Sequence, residues 1–308
     1  MEKGRVIKTT GSWYMVQTDR GLIQARLRGK FKLEDLKLTN PIAVGDWVEL
    51  EMEKDQLTAV ITQILPRQNY VIRKSTRKQH FSHILASNVD QAFLIITVRD
   101  PRTSLGFIDR FLVSTESFRI PASIIVNKSD ALKKEKDLEY LELIKEIYEP
   151  LGYPVFCLSA LEDENVSDIL QPALSDKTTL LAGHSGVGKS TLLNRLVPEA
   201  KQATKPVSKF TSKGVHTTTF AEMFPYGDKG YLIDTPGIKE FGILDIEEHE
   251  LSHYFVEMRQ YLGQCKYNNC KHVNEPGCKL LELLEEGYIH PYRYDSYLKI
   301  MYEEDSYR

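Results

Sequence analysis

The chain has 308 residues, 42% of them hydrophobic and 27% charged, with a formal net charge of -3. That length calls for two or three domains, and the balance of charge excludes nucleic-acid binding driven by global charge, leaving only local basic patches. No apolar run approaches the roughly 18 residues that span a bilayer, and the first residues lack the apolar core of a signal peptide, so a cytoplasmic protein with no membrane partner is expected.

Residues 1–66 alternate in short runs at 13–17, 22–27, 47–52 and 57–64, separated by turn signals such as Thr18-Asp19-Arg20-Gly21 and Gly45-Asp46. Short strands without helices between them predict a small closed β-barrel. An OB-fold is the reading adopted, and an SH3-like barrel fits the same periodicity. Residues 67–87 read as a linker whose first part holds Arg67, Arg73, Lys74, Arg77 and Lys78 and no acidic residue. A solvated connector and an RNA contact suit that composition equally.

From residue 88 to 245 the pattern becomes α/β. Apolar runs at 92–98, 122–126, 155–158, 179–182 and 231–233 alternate with helical stretches such as 134–148, which predicts a mainly parallel sheet with ligand loops at the carboxyl ends of its strands. The 155–158 run places Cys157 in the core.

Four loops of this region carry chemistry. Gly183-His184-Ser185-Gly186-Val187-Gly188-Lys189-Ser190, followed by Thr191, is a complete G-x-x-x-x-G-K-[ST] phosphate loop between a strand and a helix. Its glycines allow backbone N–H groups to turn toward phosphate oxygens; Lys189 is expected on the β- and γ-phosphates and the Ser190 hydroxyl on Mg²⁺. Asn127-Lys128-Ser129-Asp130 ends another apolar run. The Asp130 carboxylate offers two acceptors to the N1–H and exocyclic amine of guanine, a donor pair that adenine lacks. Lys128 is expected along the base, with Asn127 bracing the loop and Ser159-Ala160 presenting a backbone N–H to the guanine oxygen. Asp234-Thr235-Pro236-Gly237 supplies Asp234 to the Mg²⁺ shell and the Gly237 N–H to the γ-phosphate. Ile238 follows, a side chain unable to orient water. In Gly214-Val215-His216-Thr217-Thr218-Thr219, Thr218 is preferred as the further Mg²⁺ ligand, ahead of Thr217, and His216 is the candidate for positioning the attacking water. Lys201, Lys205, Lys209 and Lys213 precede this loop with no acidic residue from 201 to 219, which fits either a solvated loop or a switch segment docking on nucleic acid.

The order of these motifs is informative. The base-reading loops come first, the phosphate loop after them and the Asp234 loop last, which describes a circularly permuted GTPase core. Beyond it, residues 246–308 read as helical, interrupted at 263–279 by Cys265-x4-Cys270-x-His272-x5-Cys278. Three thiols and one imidazole within 14 residues fit a closed structural zinc site.

Permuted motif order, the Gly-Val-His-Thr-Thr-Thr segment and the cysteine cluster ending Glu275-Pro276-Gly277-Cys278 together resemble the ribosome small-subunit-dependent GTPase A family. The resemblance spans nearly the whole chain. It implies three domains: an OB-fold RNA-binding domain at 1–66, a permuted P-loop GTPase at 67–245 and a mostly helical zinc-binding domain at 246–308. It further implies GTP/GDP, Mg²⁺ and one structural Zn²⁺ as cofactors, and a monomer acting late in small-subunit assembly. Binding to rRNA in the GTP state, hydrolysis stimulated by the small subunit and a hydrolytic role for His216 also follow from the resemblance. The alternative is a nucleotide-gated RNA-binding module in which hydrolysis is incidental.

Overall fold

A computed structural model describes residues 2–28, 41–53, 58–74, 82–201, 221–234 and 246–302. The N-terminal strands are β1 (Glu2–Thr10), β2 (Trp13–Thr18), β3 (Gly21–Leu27), β4 (Trp47–Met52) and β5 (Thr58–Ile64). They pair in the order β1-β2-β3-β5-β4, and β4 returns to β1, closing a five-stranded barrel in which only β3 and β5 run parallel. Alternation explains the closure: Val6, Tyr14, Val16, Ala25, Val48, Leu50, Ala59 and Ile61 point inward and form one buried cluster. Strand β1 is missing from the sequence reading because its outward residues at Lys3, Arg5 and Lys8 break the apolar signal.

The stretch read as a linker carries β6 (Tyr70–Lys74) and β7 (Ser82–Ser87), an antiparallel pair. Its first cation, Arg67, is neither a solvated connector nor available to RNA. Its Nε and Nη2 donate at 2.6 Å each to the two oxygens of the fully buried Asp46, which also accepts from Ala43 N and Ser87 Oγ. The β6–β7 pair is thereby fastened to the barrel.

The core follows with β8 (Gln91–Ile96), α1 (Leu105–Ser117), β9 (Ala122–Val126), α2 (Glu135–Tyr148), β10 (Val155–Cys157), α3 (Val166–Leu174), β11 (Thr178–Ala182), α4 (Lys189–Leu196), β12 (Glu222–Tyr226) and β13 (Gly230–Asp234). Its strands lie in the order β10-β9-β8-β11-β13-β12, parallel except for β12. Residues of α1 and α2 (Ile108, Phe111, Leu112, Leu141, Ile144) pack on one face of the sheet and those of α3 and α4 (Val166, Leu170, Leu192, Leu193) on the other. With both faces covered, β8, β9 and β11 are buried at every position, so they read as continuous apolar runs. Cys157 departs from expectation. It is exposed, because β10 is the edge strand and lacks the two-sided cover of its neighbours. Barrel and core sheet join through the antiparallel pair Lys8 and Glu222, whose side chains also form an ion pair at 2.8 Å.

The C-terminal region contains α5 (Val256–Arg259), α6 (Lys279–Glu285) and α7 (Pro291–Tyr302). Phe255, Met258, Leu280, Leu283, Ile289 and Tyr297 form its core, and Val113 of α1 belongs to the same cluster, so the region packs against the α/β core.

Candidate nucleotide and metal sites

Chain direction along β8, β9 and β10 runs one way across the sheet and β11 lies on the other side of β8, which puts a topological switch point between β8 and β11. Ligand loops converge at the carboxyl ends of the strands flanking such a point. The phosphate loop leaves β11, the 127–130 loop leaves β9 and the 159–160 loop follows β10.

Asn127 joins all three. It is 2% exposed; its Nδ2 donates to Val187 O at 2.8 Å, and its Oδ1 accepts from Ala160 N at 2.9 Å. Close approach requires glycine here: at Gly188, with φ of 94°, a Cβ would sit 2.3 Å from Asn127 Nδ2. Gly183 is constrained likewise, its ideal Cβ lying 2.2 Å from Ile95 O on β8. The expected bracing role of Asn127 thus has a specific geometry. The Ser159 and Ala160 N–H groups, by contrast, are both engaged within the protein. Ser159 N donates to Asp163 Oδ2 at 2.7 Å and Ala160 N to Asn127 Oδ1 at 2.9 Å. The buried Asn127 oxygen needs a donor and Ala160 N–H is the one beside it.

Lys189, the first residue of α4, curls back so that Nζ donates to Gly183 O at 2.6 Å and His184 O at 3.1 Å. Ser190 and Thr191 continue the first turn of the same helix, where N–H groups lack intrahelical acceptors. Asp234 ends β13, paired in register with Leu181 of β11. Burial pushes its carboxyl up to about 6, and the Lys189 charge counters part of that rise. Burial lowers the Lys189 ammonium, against the attraction of Asp234. A serine hydroxyl and a buried carboxylate beside a phosphate loop are hard oxygen donors of the kind Mg²⁺ takes. Asp130 is exposed on a 3-10 turn, free of the packing that holds Asn127.

The sequence reading missed the loop between β8 and α1. Lys128, in the left-handed region at φ of 63°, donates from Nζ to Asp100 O at 2.7 Å. Pro101 lies 3.5 Å from the position of a Cβ on Gly186. Phe107 of α1 stacks on His184 with ring centroids 3.7 Å apart. Residues 97–107 therefore wall the site between the phosphate and base-reading loops. No motif marks them, since they act through backbone and packing. His216, Thr217, Thr218, Gly237, Ile238 and the lysines at 205, 209 and 213 lie outside the described residues.

The second site lies before α6. Ligand atoms of Cys265, Cys270, His272 and Cys278 are all within 4.8 Å of one another. His272 Nδ1 is 3.5 Å from Cys265 Sγ and 3.4 Å from Cys278 Sγ, and the two sulfurs are 3.9 Å apart. Ligands about 2.0–2.3 Å from a tetrahedral zinc are roughly 3.5–3.8 Å from each other, so the cluster fits that ion. Burial keeps the His272 imidazole below its usual range, favouring the neutral ligand form. Burial together with the neighbouring thiols pushes Cys270 up to about 12, so metal binding must displace thiol protons. The loop is pinned by α7: Tyr294 Oη donates to His272 O at 2.8 Å and Tyr297 Oη to Lys271 O at 2.9 Å.

Comparison with known proteins decides the family. Residues 64–244 match the family model described as RsgA GTPase, and residues 3–61 match that of the RsgA N-terminal domain. The chain belongs to the RsgA GTPase family. It is 51% identical over 99% of its length to the small ribosomal subunit biogenesis GTPase RsgA of Cytophaga hutchinsonii, covering 100% of that protein. It is 49% identical to the relative of the same name from Bacteroides fragilis strain YCH46, over 99% of both chains. Among solved structures it resembles YjeQ from Thermotoga maritima, with a TM-score of 0.78 and 35% identity over 100% of this chain and 99% of the other. It also resembles YloQ, described as a circularly permuted GTPase, with a TM-score of 0.74 and 31% identity over 98% and 94%. As a member of the RsgA GTPase family the protein is a GTPase, a hydrolase that takes guanine nucleotide, built as a barrel, a permuted core and a helical region with a cluster able to hold zinc. No helix among the described residues is long and apolar enough to cross a membrane.

Proposed function

We propose that this GTPase is a late-stage assembly factor of the small ribosomal subunit, acting as a monomer in the cytoplasm. It binds the subunit's rRNA in the GTP state, is stimulated by the subunit to hydrolyse GTP and leaves on hydrolysis. The observation that carries the reading is the Asn127 clasp, which links the phosphate loop to both base-reading loops in a chain that matches curated small-subunit biogenesis GTPases from end to end. Three domains divide the work, with boundaries near residues 66 and 245. In the core, Asp130 selects guanine, Lys128 supports the base, Ser159-Ala160 present a backbone N–H to the guanine oxygen, and Gly183 to Thr191 cradle the phosphates. Ser190, Asp234 and Thr218 hold Mg²⁺, Gly237 senses the γ-phosphate, and His216 positions water. Cys265, Cys270, His272 and Cys278 hold one structural Zn²⁺. Ile238 cannot orient water, so intrinsic turnover is slow and the subunit is needed to order the 214–219 loop. The test is GTP turnover with purified small subunits, with large subunits and with neither. Stimulation by at least an order of magnitude with small subunits alone is expected, and equal turnover in the three mixtures would sink the reading.

A further inference from the structure

Away from the nucleotide loops, a cavity of about 430 Å³ opens where the barrel meets the core sheet, lined by Lys3, Arg5, Trp47, Asn88, Asp90 and Thr178 among others. It is distinct from the β2–β3 face that OB-type barrels commonly use for strand binding. Lys3 and Arg5 are two residues apart on β1, and Trp47 pairs with Arg5 across to β4, so all three side chains leave the same face of the sheet. The Lys3 ammonium lies 4.9 Å from the centroid of the Trp47 ring and the Arg5 guanidinium 5.5 Å from it. Arg5 also lies 5.2 Å from the Tyr231 ring of β13.

Arg5 is the unusual member. It is only 8% exposed; Nη2 donates to Asn88 O at 2.9 Å, yet the buried Nε has no hydrogen-bond partner among the described residues. A buried guanidinium N–H without an acceptor is costly, and an anionic oxygen entering the cavity would satisfy it. Asp90, the carboxylate in the lining, accepts from Thr178 N at 2.7 Å. Two cations against that one carboxylate leave the cavity one positive charge. An anion beside an aromatic ring is the chemistry of a nucleotide, and the volume falls within the roughly 300–1,000 Å³ typical of small-ligand sites. Lys3 is exposed and Trp47 is 37% exposed, so the mouth lies at the surface, where a continuing chain can pass.

We propose that this crevice holds one unpaired nucleotide of a single-stranded RNA, its base against Trp47 and its phosphate against Arg5 and Lys3. This takes RNA as partner from the proposed function, but is tested without subunits. The chain has two tryptophans, Trp13 and Trp47, so Trp13→Phe in the full chain leaves Trp47 as the reporter. With the guanine site saturated by GDP, a ten-residue adenosine RNA should quench Trp47 saturably. Lys3→Gln, a change at an exposed side chain, should weaken binding at least threefold and reduce the slope of log affinity against log salt by about 0.7, the value for one phosphate contact on a single strand. Trp47→Leu, followed by anisotropy of labelled RNA in the Trp13-containing protein, should weaken binding similarly. Absence of quenching, or affinities unmoved by both substitutions, would overturn the proposal. Quenching by AMP as tight as by the RNA would overturn the strand as its source. Subunit-stimulated turnover measured on the same preparations separates the two readings. Stimulation without Trp47 quenching removes the crevice alone, whereas Lys3-dependent quenching without stimulation supports the crevice and removes the assembly role.

Discussion

Asn127 Nδ2 donates to the Val187 carbonyl at 2.8 Å across 60 residues of sequence, and the circular permutation sets the order of those two residues along the chain. The 127–130 loop is made before the phosphate loop it braces. The bond is buried, and the same amide accepts from Ala160, so a single side chain holds three loops in register.

Asn127→Ala should therefore strip two partners at once, leaving Val187 O and Ala160 N buried without them. At about 1–3 kcal/mol for each unsatisfied group, a loss of affinity for GDP of at least tenfold is expected. Gly188→Ala should do comparable damage, because its Cβ would meet Asn127 Nδ2 at 2.3 Å on a backbone at φ of 94°. Fluorescent-nucleotide titration of both variants checks this, and native affinity in Asn127→Ala would show that the clasp is not what orders the site.

Asp130 stands apart from that packing. Exposed on its 3-10 turn, it can be changed without cost to the fold. Asp130→Asn should weaken GTP and favour xanthosine triphosphate, whose extra oxygen suits an amide donor. Competition between the two nucleotides measures the switch; unchanged preference for GTP would remove Asp130 from the base pocket.

The limits of sequence legibility follow from these same residues. Strands β8, β9 and β11 were legible because burial on both faces leaves an unbroken apolar run. The glycines and Lys189 of the phosphate loop were legible because backbone geometry and charge restrict the residue types there. The β8–α1 wall at Asp100, Pro101 and Phe107 was not, since it acts through a carbonyl, a ring edge and a stack that many sequences could supply. Arg67 was misread for a related reason: composition marks a cation, but only the fold shows Asp46 buried beside it. Cys157 failed because an apolar run does not say which strand is the edge.

His216 carries the proposed hydrolytic role, and its substitution separates binding from turnover. His216→Ala should still bind GTP and the small subunit while losing most of the stimulated rate. Stopped single-turnover hydrolysis with saturating subunits gives the rate directly. Normal stimulation in this variant would assign water positioning to another group.

The cysteine cluster should bring about one zinc per chain through purification without added metal, and Cys270→Ser with Cys278→Ser should abolish it. Elemental analysis decides the first point. Because Tyr294 and Tyr297 of α7 hold the backbone of the metal loop, zinc removal by a strong chelator should also loosen α7, read as faster amide exchange there. Native zinc content in the double variant would exclude these thiols as ligands.

The same helix carries the connection to the GTPase core. Arg293 of α7, 1% exposed, donates to Asp109 Oδ1 on α1 at 2.6 Å and to both oxygens of Glu257 on α5 at 2.7 and 3.1 Å. Tyr148 Oη donates to the same Asp109 oxygen at 2.7 Å. Two carboxylates share one guanidinium, so removing the cation leaves both buried and unpaired. Arg293→Met should destabilise the protein by about 3–5 kcal/mol, whereas Arg293→Met with Asp109→Leu and Glu257→Leu should recover most of that loss, because no uncompensated charge remains. Chemical denaturation of the three proteins measures both quantities. Helix α1 also carries Phe107, stacked on His184 of the phosphate loop, and begins two residues before it. A loosened Arg293 contact should accordingly be felt at the nucleotide, as weaker GDP binding in Arg293→Met that the triple variant only partly restores, since apolar packing replaces the charge but not the hydrogen bonds fixing α1. Equal stability of Arg293→Met and the parent protein would mean that the C-terminal region is held to the core without this cation, by the apolar cluster around Val113 and the Arg259–Glu116 ion pair.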